Sequence, residues 1–437
     1  MIRVVLSAAV ALLLGGPVQA AIEIQEVTSP AGFKAWLVEE HSIPFTAIEI
    51  RFKGGSSLDP EGKRGVINLM TGLIEEGAGD MDARAFIEAR DSLAASYNFD
   101  VYDDAFSVSA RFLTENRDQA VALLREALVN PRFDEEAIER VRAQVLSVIR
   151  SNATDPNSIA GRTFDELAFG DHPYGSSRDG TLESVAALTR DDIVAAHKAV
   201  LAQDRVYVGA AGDITAEELG RIMDQLLGDL PETGAPLPDE AEVQLTGGVT
   251  LVPFDTPQSV AIFGHEGIER DDPDFFPAFV ANEIFGGSGR QSRLSDEVRE
   301  KRGLTYGVGT YLANYDHADL VIGQFASAND RMAQAIEVVR QEWARIASQG
   351  VTQAELDEIK TYLTGAYPLR FDGNGPIARI MVGMQMEDLG PDYIVTRNDK
   401  VNAVTMEDVK RVAARIYRPE ALRFVVVGRP DDVENVN

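Results

Sequence analysis

The sequence predicts an α+β fold built from two homologous domains, each a mainly antiparallel sheet packed with helices. Three observations carry this. The chain has 437 residues, too many for one ordinary core and suited to two domains of about 200 residues each. It repeats itself: VAALTRDDIVAAHKAVLAQDRVYVGAAG, Val185 to Gly212, lies over VNAVTMEDVKRVAARIYRPEALRFVVVG, Val401 to Gly428, at a constant offset of 216 without a gap. Strand patterns also follow one another through short turns, with helices grouped between them, rather than in tight βαβ alternation.

Taken in order, MIRVVLSAAVALLLGGPVQA at Met1 to Ala20 joins one Arg to an apolar run, a Gly-Gly-Pro break and small residues. That is the pattern of a secretory signal cleaved after Ala20, and the run is shorter than the roughly 20 residues a membrane-spanning helix needs. The chain is therefore expected to be exported, to the periplasm, without a span after cleavage. The first domain is expected over 21–227 and the second over 249–437. Each opens on strand alternation, Phe45 to Gly55 and Ser259 to Ile268. Further strands are predicted over Phe99 to Phe112 and Leu304 to Asn314, and helices over Asp82 to Ser96, Arg117 to Val129, Glu135 to Ser151 and Met332 to Ser348. KRGVINLMTGLIEEGAGD, Lys63 to Asp80, reads as a buried helix left through Gly77 and Gly79.

Both copies of the repeat say the same thing physically: a Thr N-cap (Thr189, Thr405), acids in the first turn, an amphipathic helix, then an apolar strand ending at Gly212 or Gly428. So long a period argues for two domains rather than a solenoid. Between the copies, Gly228 to Gly248 is rich in proline and acids and reads as an exposed linker.

A hydrophobic share of 45% and a charged share of 25% are ordinary for a globular chain. The net charge of -29 repels phosphate backbones and anionic lipid, so nucleic acid is not an expected partner. With no cysteine, disulfides, thiolate ligands and a cysteine nucleophile are all excluded. The five histidines, His41, His172, His197, His265 and His317, include no pair at i, i+4, and neither His-Glu-x-x-His nor His-x-x-Glu-His occurs. Spacing alone leaves open a zinc site gathered from distant histidines. GGSGR at Gly286 to Arg290 lacks both the last Gly of a serine-hydrolase elbow and the Lys-Ser/Thr ending of a phosphate loop.

The informative stretch is FGGSGRQSRLSDEVREKRGLTYGVGTYL, Phe285 to Leu312. With its SRL and VREKRGLTYGV it resembles the second domain of the pitrilysin/insulinase family of inverted-motif zinc peptidases, the group that includes the mitochondrial processing peptidases. FKGGSSLDPEGKRGVINLMTGLIEEGA, DHPYGSSRDGTLESVAALTRDDI and VTMEDVKRVAARIYRPEALRFVVVG extend the resemblance over nearly all of the chain beyond the signal. The resemblance implies a clamshell half. In active members the helix corresponding to Lys63–Asp80 carries His-x-x-Glu-His, two zinc-binding imidazoles and the carboxylate that activates the metal-bound water. Here those places hold Asn68, Thr71 and Gly72, and Val148 stands nearest the place of a third ligand, a glutamate on a later helix. No metal is therefore expected in this chain, and hydrolysis by it alone is not expected.

The family's second domain contributes an Arg and a Tyr seven residues apart, a spacing kept by Arg299 and Tyr306. A neutral phenol can donate a hydrogen bond to an oxyanion, and a guanidinium can hold a peptide carbonyl or carboxylate. By residue type alone, Arg299 suits a helix-surface ion pair with Asp296 and Tyr306 a half-buried strand position; with the resemblance, both are assigned to substrate binding and catalytic support. The expectation is a zinc-less subunit of an exported heterodimeric peptidase, with zinc held by a homologous partner subunit and peptides as substrates. Two alternatives stand beside it: a purely structural or peptide-binding subunit, and an autonomous hydrolase with an unrecognised site.

Overall fold

The computed structural model describes residues 22–287 and 289–436; the predicted signal segment lies outside them. The first half runs through β1 (Gln25–Thr28), β2 (Lys34–Glu39), β3 (Phe45–Lys53), α1 (Val66–Thr71), β4 (Gly77–Ala78), β5 (Met81–Asp82), α2 (Ala83–Ser92), β6 (Ser96–Val101), β7 (Ala105–Leu113), α3 (Arg117–Val129), α4 (Glu135–Asn152), α5 (Pro156–Phe169), α6 (Leu182–Ala187), α7 (Arg190–Val200), β8 (Val206–Gly212) and α8 (Ala216–Leu227). The second half has β9 (Gly248–Pro253), β10 (Gln258–Glu266), α9 (Phe275–Asn282), β11 (Val308–Asn314), β12 (Asp319–Ala328), α10 (Met332–Gln349), α11 (Gln353–Ala366), α12 (Asn374–Met386), α13 (Tyr393–Ala403), α14 (Met406–Ile416) and β13 (Arg423–Gly428). Among the described residues no helix is long and apolar enough to cross a membrane.

The duplication is visible strand by strand. One sheet has the order β1-β2-β8-β3-β7-β6, and the other, read from its far edge, β9-β13-β10-β12-β11. Each has one parallel pair in the same place, β2 with β8 and β9 with β13, and is otherwise antiparallel. A single bridge from Val249 to Val436 stands where β1 completes the first sheet. The repeated helices α7 and α14 both start on a reciprocal capping box, Thr189 with Asp192 and Thr405 with Asp408. The repeated strands end on glycine for a steric reason: Gly212 has φ 129°, and a Cβ there would collide with the Phe45 carbonyl of the neighbouring strand.

The structure differs from four local expectations. The helix expected over Asp82–Ser96 is Ala83–Ser92, and Ser96 already begins β6. The helix expected over Lys63–Asp80 is only Val66–Thr71; beyond Gly72 the chain turns, although Leu73 and Ile74 stay fully buried. The long strand expected over Phe99–Phe112 is a hairpin, β6 and β7, turning at 102–104. The strand expected from Leu304 begins at Val308, because Thr305 ties the preceding loop to the Ala326 carbonyl at 2.7 Å.

Each sheet packs one face on helices of its own half. The first core gathers Phe52, Phe86, Phe106 and Phe112. The second gathers Phe263, Phe285, Trp343 and Phe424, where Trp343 meets Phe285 and Tyr417 edge-on. The opposite faces are covered reciprocally. From the first half, α5 lays Phe164, Ala168 and Phe169 on Leu320, Ile322 and Val425 of the second sheet. From the second half, α12 lays Ile377, Met381 and Met384 on Trp36 and Ala211 of the first. The α12 approach is close enough that a Cβ on Gly209 would sit 2.7 Å from the Ala378 carbonyl. Residues 229–247 form no helix or strand but are tied down: Ala241 N–H donates to the His317 carbonyl and Gln244 N–H to that of Ala168, both at 2.8 Å, while Val243 and Leu245 pack on the Phe164 cluster.

The seam also collects acids. Asp104 at the β6–β7 turn accepts from the Tyr174 hydroxyl and, at 3.0 Å, from the Asp316 N–H; burial pushes its carboxyl up to about 6. Asp165 on α5 is pushed up to about 7, first by burial and then by Asp103 and Glu166.

Two outcomes are expected. Because each half seals the other's sheet, chemical denaturation should give one transition, coincident by tryptophan fluorescence and far-UV circular dichroism. Phe164→Ala should lower stability by about 3–5 kcal/mol while keeping a single transition; a separated second transition would contradict the reciprocal packing. Asp165 has a folded pKa above its unfolded value, so the stability from burying it neutral is complete below about pH 4 and lost as pH rises through about 7. Asp165→Asn should therefore gain on the parent protein by on the order of 1–3 kcal/mol between pH 4 and 8, read from urea midpoints.

Candidate functional site

The scaffold around α1 is built with care for backbone approach. Gly65 precedes the helix at φ 91°, and a Cβ there would lie 2.6 Å from the Asp179 carbonyl, so only glycine lets the turn at 177–180 sit against the helix start. Asp59, with a side chain 1% exposed, accepts from the N–H groups of Ile67 (2.9 Å) and Gly65 (2.7 Å), satisfying donors that the helix start would otherwise bury unpaired. Burial pushes its carboxyl up to about 6, against the pull of Arg64 and those two N–H groups. Arg64 in turn donates to the carbonyls of Pro173 (3.0 Å), Ser176 (2.8 Å) and Ser177 (3.1 Å).

On this scaffold the four residues at the motif positions do different things. Asn68 is half-buried, and its amide donates to Asp179 Oδ1 at 3.4 Å. The other carboxylate oxygen of Asp179 accepts from Asn152 at the end of α4, at 3.0 Å. Thr71 is buried and spends its hydroxyl on the Ile67 carbonyl at 2.7 Å. Gly72 is exposed, and a side chain there would press on Val141 from 3.0 Å. Val148 on α4 is exposed. An amide, a hydroxyl already bonded to backbone, a glycine and a valine do not fit a zinc ion, which takes imidazole, thiolate and carboxylate donors. Asp179 and Asn152 hold α1, α4 and the 177–180 turn together at this place.

The histidines are committed elsewhere. His265 Nε2 accepts from Trp343 Nε1 and from the Arg418 N–H, both at 3.2 Å, so its proton sits on Nδ1 and goes to the Glu266 carbonyl at 2.7 Å. His197 bonds the Leu128 carbonyl at 2.9 Å. Burial holds both down to about 4. His41 lies between Asp213 and Glu39, which raise its pKa. His172 and His317 face each other at 6.5 Å between ring centres. Among the described residues no three His, Cys, Asp or Glu groups converge as a metal site.

In the second domain, Arg299 lies in a turn of π-helix, Ser295–Glu300, and pairs with Glu300 at 2.9 Å; Asp296, the partner its residue type suggested, instead holds Lys301 at 2.7 Å. Tyr306 sits on the loop before β11 and is 89% exposed, with no hydrogen bond among the described residues. The turn between them is pinned by Gly303 N–H to the Arg299 carbonyl (2.8 Å) and Leu304 N–H to that of Val298 (3.0 Å), but no bond joins the two side chains. Next to Tyr306 a groove of about 510 Å³ runs along Gly286, Gly287, Gly307 and Gly309 to Asn157 of α5. Sequence reasoning missed Asp59, Asn152 and Asp179; the Asp-Gly turn at 179–180 and the Pro-Glu-Gly loop after Asp59 signalled turns, not their contacts.

Comparison with known proteins agrees with this layout. The profile of insulinase (peptidase family M16) matches residues 35–181, and that of the peptidase M16 inactive domain matches 187–363. A Helicobacter pylori protein described as the non-peptidase homolog YmxG is 27% identical over 76% of this chain and 77% of its own length. An uncharacterized zinc protease of Rickettsia bellii is 24% identical over 87% of this chain and 92% of its own. A crystal structure described as a peptidase M16 inactive domain from Pseudomonas fluorescens superposes with a TM-score of 0.88 at 26% identity, over 95% of this chain and all of that one. The fold is shared as well by a protease from Helicobacter pylori, with a TM-score of 0.84 at 16% identity over 93% and 99% of the two chains. With two matched profiles in tandem, the duplicated sheets and a motif helix carrying Asn68, Thr71 and Gly72 in place of metal ligands, the chain belongs to the insulinase (peptidase M16) family.

Proposed function

We propose that this chain is the zinc-less subunit of an exported two-chain peptidase, presenting Arg299 and Tyr306 to a zinc site carried by a homologous partner. The observation that carries the reading is the exposure of Tyr306: a phenol 89% open to solvent, on a loop held by Thr305, has nothing to do within its own chain. Such a hydroxyl suits donation to an oxygen that becomes negative on another molecule. Arg299, a quarter exposed and seven residues before Tyr306, carries a guanidinium that can exchange Glu300 for a peptide carboxylate or carbonyl. A zinc ion held by the partner would supply Lewis-acid polarisation of the scissile carbonyl, while Arg299 of this chain would position the peptide and the Tyr306 hydroxyl would donate one hydrogen bond.

A structural or peptide-binding subunit without catalytic contribution is the second reading. It is favoured by the 2.9 Å pair between Arg299 and Glu300, which already satisfies the charge.

Purified alone, the chain should hold no stoichiometric zinc by elemental analysis and cleave no peptides, since its motif positions offer no imidazole or carboxylate. One tightly bound zinc per chain overturns the reading. With a His-x-x-Glu-His partner added, hydrolysis should appear. Tyr306→Phe should then lower kcat on the order of 10²-fold, about 3 kcal/mol of transition-state stabilisation, with complex formation unchanged. Arg299→Ala should act mainly on KM, because a charge that holds the peptide does so in ground and transition states alike. If both variants assemble and cleave at the parental rate, the structural reading replaces this one.

A further inference from the structure

We propose that the cavity between α9, α12 and α13 in the second domain is a binding site for the free carboxylate end of a peptide whose last side chain is aromatic or bulky and apolar. The cavity measures about 750 Å³, well above the size of one large side chain, and is open at one side. Its walls are aromatic, with Phe275, Phe276 and Phe279 from α9 facing Tyr367 and Tyr393, and Ile380 and Met384 of α12 closing the floor.

Into this apolar space the fold directs four arginines, Arg270, Arg370, Arg379 and Arg397, against one acid, Glu387. That balance is opposite to the chain as a whole, which has 41 basic residues against 70 acidic ones. None of the four has a carboxylate within 4.0 Å among the described residues, although ion pairs abound elsewhere. Arg397 is 6% exposed, and its Nη1 donates to the Leu363 carbonyl (2.9 Å) and Asn398 Oδ1 (3.1 Å). Its guanidinium lies over Tyr367 at 4.6 Å and Phe279 at 5.5 Å, and burial holds its pKa below the usual arginine range against the smaller opposing pull of Tyr393, Tyr367 and Glu283. An arriving carboxylate would offset that burial. Arg270 lies over Phe275 at 4.1 Å and donates to the Tyr393 hydroxyl at 3.0 Å. Stacking on ring faces fixes a guanidinium plane while leaving its N–H edge available, the geometry that grips a carboxylate by two parallel bonds.

Aromatic walls and unpaired guanidinium groups together describe an anion with an apolar body. The choice of a peptide end over a free organic acid rests on the peptide-handling part of the reading above. The measurement needs only the isolated chain, so its failure leaves partner-dependent hydrolysis standing, and failure of hydrolysis leaves the binding result standing.

Titration calorimetry of the full chain with acetyl-Gly-Gly-Phe as free acid should give saturable binding with Kd between about 10 µM and 1 mM. The C-terminally amidated peptide should bind at least about tenfold more weakly, the loss of one charge-assisted pair of bonds. Arg270→Gln should weaken the free acid by a similar factor. Arg379→Gln, at an exposed α12 position where folding is not at stake, should weaken it about threefold or more. Equal affinity for acid and amide, no saturation up to about 10 mM, or affinity unaltered in both variants overturns the proposal. Phenylpropionate binding as tightly as the peptide acid overturns the assignment to a peptide end.

Discussion

The exchange of covering helices between the two halves is the constraint on which the rest of this structure depends. A sheet with one face on its own helices still has a second apolar face to bury, and here neither half supplies that cover for itself. Phe164 and Phe169 belong by sequence to the first domain but complete the second sheet; Met381 and Met384 do the reverse. Around these side chains the seam has core packing, while beside α12 the first sheet also lines a cavity of about 540 Å³ with Glu49, Arg51, Ser107 and Ser109. The crossing of α5 brings its Asn157 to the glycine-lined groove of the second domain. It also explains why buried acids such as Asp165 are tolerated at the edge of the seam: apolar packing offsets their cost.

Around Asn68, Thr71 and Gly72 the architecture is tightly held. Gly65, Gly180, Asp59 and Arg64 bring the 173–180 segment against α1 as closely as backbone atoms allow. What occupies the site is a different set of bonds, with the Asp179 carboxylate shared by Asn68 and Asn152. A carboxylate between two amides needs no cation to be satisfied, and its position ties three segments that a metal would otherwise tie. At this place the helix serves cohesion.

How much of this was legible in the sequence depended on whether the cause was local. Helices α3 and α10 were read almost to the residue because their apolar period is local, and α10 stops at Gly350 with φ 67°. The region after α1 was misread because Leu73 and Ile74 continue an apolar pattern that reports burial, not backbone conformation. The turn at 102–104 was hidden in the same way, inside alternation that runs on through both strands of the hairpin. The repeat revealed two domains, but nothing in it shows that α5 and α12 cross over, since amphipathicity gives a face and not its partner. Missing metal ligands could be read by type at Asn68, Thr71, Gly72 and Val148. Their replacement by an Asp179 network joins residues 111 positions apart and had no local signal. The arginines of the aromatic cavity, spread from 270 to 397, meet only through the fold.

The central position of β13 has a consequence for how the molecule is made. This strand, the last regular element among the described residues, lies between β9 and β10, so the second sheet stays open at its middle until Arg423–Gly428 have emerged. The first sheet can pair its strands once β8 is made, yet Trp36 and Ala211 keep their outer faces bare for more than 150 further residues, until α12 arrives. A chain emerging end first therefore passes through a long interval with apolar sheet surface exposed on one half and an unfilled gap in the other. Folding assistance during synthesis, and sensitivity to truncation near the carboxyl end, follow from the strand order alone.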